Sequence, residues 1–255
     1  MLNDETRRKV RELGWEELIE GVQAQAKLPE CLTLSFEERL SMLIDYIYQE
    51  KLNHRTKRLI SQAKFRFKDA DVNSIYYEER GLNKNVLLEL ATCQFLATAT
   101  NLVFQGFTGS GKTFLACAIG KAACRHKFRV RYIRIPDMFE LLAAAMISSG
   151  GYARILRRFA RYHLLILDEW LANPFSDDEI RFLFELIERR YGAGSTIFCT
   201  QHPIAEWHAC LGGDAIADSI MDRIVQNAIQ IDTGAKNMRK HLSSHSMLDD
   251  KNLSD

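Results

Sequence analysis

Several familiar signals are missing from this chain of 255 residues, and each absence narrows what it can do. No apolar run approaches the roughly 18 to 20 residues that cross a bilayer, so a membrane-spanning helix is not expected. The opening Met-Leu-Asn-Asp-Glu is acidic where a secretory leader is basic and then apolar, which points to a cytoplasmic protein. The six cysteines (Cys31, Cys93, Cys117, Cys124, Cys199, Cys210) form no Cys-x-x-Cys pair and no zinc spacing with histidine. Several fall inside apolar runs, as buried reduced thiols do. A formal net charge of +1 neither favours nor excludes a polyanionic partner, because local placement of charge decides that. No internal repeat is visible, and no helix-turn-helix or zinc-finger pattern is present, so specific base readout is not expected.

What is present is an ordinary globular composition, 47% hydrophobic and 26% charged, in a length that suits one α/β domain with a smaller attachment. Residues 1 to about 34 carry a short helical pattern around Trp15, Leu18, Ile19 and Val22, interrupted at Pro29. Ser35 and Glu38 then make a capping box, and Leu40, Leu43, Ile44, Ile47 and Tyr48 recur with helical spacing. This helical N-terminal domain is expected over 1–68. Residues 69–81, with Asp69, Asp71, Asn73 and Gly81, read as an extended linker opening a second domain over 69–241, and 242–255 as a polar disordered tail.

In the second domain, short apolar runs alternate with helical ones, the signature of a parallel α/β sheet. The five strand candidates are Leu102 to Phe104, Val130 to Ile135, Leu164 to Leu167, Thr196 to Thr200 and Ala228 to Ile231. A helix is expected after Ser176, with Glu179 completing its cap, acids in its first turn, Arg189 and Arg190 in its last, and Gly192 beyond.

Between the first strand and the next helix lies Gly106-Phe-Thr-Gly-Ser-Gly-Lys-Thr113, a complete phosphate-binding loop in strand-then-helix context. Gly106, Gly109 and Gly111 let the backbone pass close to an anion, so amides from Thr108 through Ser110 and the helix N-terminus can point at phosphate. Lys112 is expected on the β- and γ-phosphates and the Thr113 hydroxyl on Mg²⁺. The alternative is a plain glycine-rich turn.

Some fifty residues on, Asp168 and Glu169 end the third strand candidate, where parallel sheets place their chemistry. Asp168 would hold Mg²⁺ directly or through water, and Glu169 would polarise the water that attacks the γ-phosphate. Gln201, at the end of the fourth strand, either senses that phosphate or caps its loop. Arg223 ends a helix before the last strand and could reach a neighbouring subunit's γ-phosphate, or form a solvated pair with Asp222.

Two basic stretches stand out. Lys51 to Lys68 holds seven basic residues and no acid, with Lys57, Lys64 and Lys68 spaced for a single helical face. Arg154, Arg157, Arg158 and Arg161 form a second stripe opposite Ile155, Leu156 and Phe159. Either is a solvated helix face or a surface for a phosphate backbone, with salt-dependent and largely sequence-independent affinity.

From about Leu34 to Arg239 the sequence resembles the IstB family of insertion-sequence ATP-binding proteins, relatives of the bacterial helicase loader DnaC. The resemblance is carried by Ser35-Phe-Glu-Glu-Arg-Leu40, the phosphate loop, Leu165-Ile-Leu-Asp-Glu169, Phe184 to Tyr191, Gly194-Ser-Thr196, Glu206-Trp207 and Met221-Asp-Arg223. It implies an AAA+ P-loop ATPase using ATP and Mg²⁺, a homo-oligomer on duplex DNA that regulates the transposase of the same mobile element. It also implies Arg223 as an arginine finger and a terminal motif, Gly234-Ala-Lys-Asn-Met-Arg239, facing the nucleotide or the neighbour. Two departures are visible: Trp170-Leu-Ala-Asn-Pro174 replaces a usual glycine-tyrosine pair, and Phe107 a usual proline. A helicase loader would need a helicase-docking module, and a small-molecule kinase an acceptor site and an arginine-bearing lid.

Overall fold

The computed structural model describes residues 2–78, 81–234 and 238. Two compact units are present, Met1–Arg58 and Leu59–Asp255.

The first unit is helical. Its α1 (Asp4–Glu12) starts where Asn3 Oδ1 accepts from the Thr6 amide at 2.8 Å, and α2 (Glu16–Lys27) follows. Helix α3 (Phe36–Ala63) opens on the expected box, with Ser35 N donating to Glu38 at 2.8 Å and Glu38 N to Ser35 Oγ at 3.3 Å. Gly21 of α2 lets α3 approach closely, since a Cβ there would stand 2.5 Å from Leu43 and 2.9 Å from Tyr46.

The end of α3 belongs to the second unit, where Leu59 and Ala63 are buried. Lys64 takes a left-handed φ of 59° and stops the helix, after which Phe65 and Ala70 turn into the core. Lys64 and Lys68 therefore do not share a helical face with Lys57, which corrects that expectation. The contact boundary falls at Arg58, ten residues before the boundary expected from sequence. Within the stretch read as an extended linker, residues 69–78 are packed: Val72, Ile75 and Tyr77 are buried, Tyr77 donates to the Val72 carbonyl, and Asp71 pairs with Arg125.

Beyond α4 (Lys84–Ala91), capped by Asn83, come β1 (Asn101–Gln105), α5 (Lys112–Arg125), β2 (Val130–Arg134), α6 (Ile135–Met146), α7 (Gly151–Ala160), β3 (Leu164–Trp170), α8 (Asp177–Arg190), β4 (Ser195–Thr200), α9 (Ile204–Cys210), α10 (Ala215–Val225) and β5 (Ala228–Asp232). All five strand candidates form. They make one parallel sheet in the order β2-β3-β4-β1-β5. Side chains alternate across it as the two-residue period requires. Leu102, Phe104, Ile166 and Cys199 enter the core under α4 and α5, while Val103, Leu165, Leu167 and Phe198 enter the core under α6 to α10. The capping box of α8 is complete, and Gly192 takes its left-handed φ of 67°.

This topology sends the loop after β1 and the ends of β3 and β4 to the same edge of the sheet, the carboxyl edge at which open α/β sheets bind ligands.

Candidate functional site

The loop between β1 and α5 is shaped by glycine where φ demands it: Gly109 at 90° and Gly111 at 89°. Behind it, Ser110 and Thr233 are fully buried with hydroxyls 2.6 Å apart, and Thr233 donates to the Gln105 carbonyl at 3.0 Å. Met238 N donates to the Gly109 carbonyl at 2.9 Å. The end of β5 thus braces the loop from below.

Lys112 reaches back across the loop, donating to the carbonyls of Gly106 at 2.7 Å and Phe107 at 2.9 Å. Thr113 Oγ1 donates to Asp168 Oδ2 at 2.9 Å. Asp168, only 3% exposed, also accepts from Tyr132 at 2.7 Å and from the Glu169 amide at 3.0 Å. Burial, then the adjacent Asp168 carboxylate, raises the Tyr132 phenol above its ordinary value, so it remains a donor to that carboxylate.

Glu169 sits at a left-handed φ of 61°, with Leu171 at 59°. Its carboxylate lies between two guanidinium groups, 3.5 Å from Arg134 and 3.8 Å from Arg66. The departure loop after it is anchored by Trp170, which is fully buried against Phe198, Trp207 and Phe175 with ring centroids 4.9, 5.7 and 5.9 Å away. Gln201 Oε1 accepts from Thr108 Oγ1 at 2.7 Å.

Thr108, Lys112, Thr113, Asp168, Glu169 and Gln201 line one cavity of about 510 Å³. Arg66, Phe67, Ile75 and Tyr76 line its other side, and no motif in the sequence marks them as site residues. Tyr132 and Arg134 are likewise unmarked. The donor set of the Thr113 hydroxyl and the Asp168 carboxylate is hard oxygen and fits Mg²⁺. Among the described residues no cluster of three or more histidine, cysteine or acidic residues could hold a metal.

Arg223 is not brought to this cavity. It pairs with Glu188, donates to the Ser219 carbonyl at 3.0 Å and stands 5.7 Å over the Phe184 ring. The following turn bonds to the start of β1, Asn101 N donating to the Asn227 carbonyl at 2.8 Å. Arg223 therefore lies at the amino edge of the sheet, about 16 Å of strand from the loop. Arg239 lies outside the described residues.

On α7, Arg154, Arg157, Arg158 and the capping Arg161 are exposed, opposite buried Ile155, Leu156 and Phe159. Arg129 extends the patch, donating to the Arg161 carbonyl at 3.0 Å. Buried Arg190 holds the end of α7 by donating to the carbonyls of Phe159, Ala160 and Tyr162 at 3.2, 3.2 and 2.7 Å. Lys57 is exposed in the first unit. All six cysteines are free, and among the described residues no helix is long and apolar enough to cross a membrane.

Comparison with known proteins gives the family. The family model for the IstB-like ATP binding protein matches residues 8–246. An insertion sequence ATP-binding protein of Sinorhizobium fredii, y4pL, is 33% identical over 241 residues, 94% of this chain and 98% of its own. Among solved structures, DnaI superposes with a TM-score of 0.57 at 19% identity, covering 71% of this chain and all of that one. The DnaC helicase loader gives 0.55 at 20%, covering 64% and 96%. Those likenesses establish the AAA+ fold. With the loop, the sheet order and a match over nearly its whole length, the chain belongs to the IstB-like family of insertion-sequence ATP-binding proteins.

Proposed function

We propose that the chain is an ATP-hydrolysing AAA+ protein that oligomerises on duplex DNA and regulates the transposase of its element. The observation that carries this reading is the convergence of Lys112, Thr113, Asp168, Glu169 and Gln201 on one cavity. Loop amides and Lys112 bind the phosphates once Lys112 leaves the Gly106 and Phe107 carbonyls. Thr113 and Asp168 would hold Mg²⁺, whose charge offsets that on the β- and γ-phosphate oxygens. Glu169 takes the proton from a water as its oxygen bonds to the γ-phosphorus and the bond to the bridging oxygen breaks. Gln201 positions that water.

Arg223 sits at the far edge of the sheet from this cavity, so as an arginine finger it would not reach the γ-phosphate bound by its own chain. A neighbouring subunit supplies the finger, which makes hydrolysis a report on assembly. The exposed Arg154, Arg157, Arg158 and Arg161 give duplex DNA a backbone-binding surface, and Lys57, Lys64 and Lys68 add scattered positive charge. The proposed division is a helical domain to about residue 68 and an ATPase domain to about 241.

A coupled assay of ATP turnover with and without duplex DNA, with light scattering on the same samples, tests this. DNA-stimulated turnover by an assembly is expected. Turnover indifferent to DNA, with phosphate transferred to a small acceptor, overturns it in favour of a kinase.

A further inference from the structure

Two guanidinium groups meet Glu169, and they are held differently. Arg134 is forked onto Asp137, its Nε donating at 3.1 Å and its Nη2 at 2.6 Å, and stands 3.5 Å from Glu169. Arg66 reaches Glu169 at 3.8 Å with a side chain 45% exposed. Of the two, Arg66 is the one that lines the cavity with Lys112 and Thr113.

The backbone that carries Arg66 is pinned to α5, the helix that Lys112 and Thr113 open. Phe65 is buried against Gly120 of α5, where a Cβ would stand 2.6 Å from its ring. Phe67 packs on Phe114 with ring centroids 5.8 Å apart, and Lys121 donates to the Lys68 carbonyl at 2.9 Å. Burial, then the Asp168 carboxylate, raises the Tyr132 phenol, and the Arg66 guanidinium beside it opposes that rise. Arg66 thus ends next to the hydrogen bonds by which Tyr132 and Thr113 hold Asp168. A fixed Cα and a long, half-exposed side chain make a cation that can turn within the cavity while its backbone stays in place.

In the ATP reading the γ-phosphate arrives between Lys112 and Glu169. It carries more charge than a carboxylate and offers more oxygens, and the planar fork of a guanidinium matches it. Arg66, the less tied of the two arginines, has this stronger partner within its reach. We propose that Arg66 is a γ-phosphate ligand of its own chain, leaving Glu169 when ATP binds. There it offsets the charge on the γ-oxygens as the water oxygen bonds to phosphorus, the bond to the bridging oxygen breaks to release ADP, and the water's proton passes to Glu169. This role rests on the ATP reading and adds a same-chain cation to it. Turnover by a lone chain draws on Arg66, and Arg223 of a neighbouring subunit adds to that.

Competition between ADP and a fluorescent, non-hydrolysable ATP analogue reads the contact. Arg66→Ala should weaken the analogue at least about tenfold, the worth of one charge-assisted hydrogen bond, and leave ADP binding unchanged. Arg66→Lys should keep part of the preference. The same loss should appear in a Glu169→Gln background, because the contact is to phosphate. A loss that vanishes there makes Arg66 a mere partner of Glu169 and overturns the proposal. An unchanged preference, or equal weakening of analogue and ADP, overturns it as well. Without DNA, kcat should fall about a hundredfold or more in Arg66→Ala and partly return in Arg66→Lys; an unchanged kcat overturns the catalytic part. A wild-type chain that binds ATP without turning it over ends the hydrolysis reading, while the preference for the analogue still decides whether Arg66 meets the γ-phosphate.

Discussion

Gly106 opens the phosphate loop, and its glycine is demanded from below as much as from the ligand side. Its φ is 155°, and a Cβ built there would collide with Thr233 Oγ1 and stand 2.8 Å from Ser110 Oγ. Both hydroxyls are fully buried and bonded to each other, so neither can retreat without leaving a polar group unpaired. Gly106→Ala therefore costs roughly 1 to 3 kcal/mol in backbone strain and about 1 to 3 kcal/mol for each buried hydroxyl left unbonded. Together, with both hydroxyls, that is about 3 to 9 kcal/mol, a large share of a domain's stability. Gly150 provides the control, since its φ is 70° and a methyl group there would meet nothing within 4 Å. Gly150→Ala should cost only the conformational part, about 1 kcal/mol. Urea titrations followed by tryptophan fluorescence read this unit, because Trp170 and Trp207 are fully buried in it. Adding Thr233→Ala to Gly106→Ala should recover part of the loss, giving a non-zero coupling in a double-mutant cycle. The brace is refuted if Gly106→Ala is no costlier than Gly150→Ala, or if the cycle shows no coupling.

Lys112→Ala should abolish nucleotide binding measured by a fluorescent ATP analogue. Glu169→Gln should retain binding and lose about 10² to 10⁴ in turnover, as removal of a general base does; normal hydrolysis by Glu169→Gln refutes its role. Replacing Arg157, Arg158 and Arg161 with alanine should weaken duplex binding and reduce the slope of log affinity against log salt by up to about 2.7, with thermal stability kept. Burial pushes the thiols of Cys93 and Cys117 up to about 11 and that of Cys124 to about 12, so alkylation of the native chain at pH 8 should modify Cys210 first, with all six reacting only after unfolding.

The sheet was legible because each strand is an apolar run bounded by polar residues, and the loop because its chemistry is written in eight consecutive positions. The groups that fix Asp168 and Glu169 were not, because they arrive by strand pairing. Arg134 stands opposite Asp168 in the register of β2 and β3, and that register is a property of the assembled sheet. Residues 69–78 hide their packing for a different reason. Asp69, Asp71 and Asn73 suggest solvent, while the apolar residues between and after them, Ala70, Val72, Ile75 and Tyr77, are the ones that are buried. Lys64 carries no mark of its left-handed conformation, since the usual sign of such a stop is glycine. Spacing alone therefore carries a helical face across it.

What the sequence could not express at all is how the site is satisfied within the chain itself. Lys112 bonds to loop carbonyls, Gln201 to Thr108, Thr113 to Asp168, and Glu169 rests between Arg66 and Arg134. Every group assigned to phosphate, metal or water is thus engaged by a neighbour. Binding must exchange these bonds rather than add to them, at about 0.5 to 1.5 kcal/mol for each neutral one. The exchange favours ATP because its oxygens carry charge where the carbonyls carry only dipoles. Glu169 differs from the others. Its partners are the cations Arg134 and Arg66. In the proposed mechanism the γ-phosphate would draw those guanidinium groups away, so binding and activation of Glu169 as base would be one event, at a residue held at a left-handed φ of 61°.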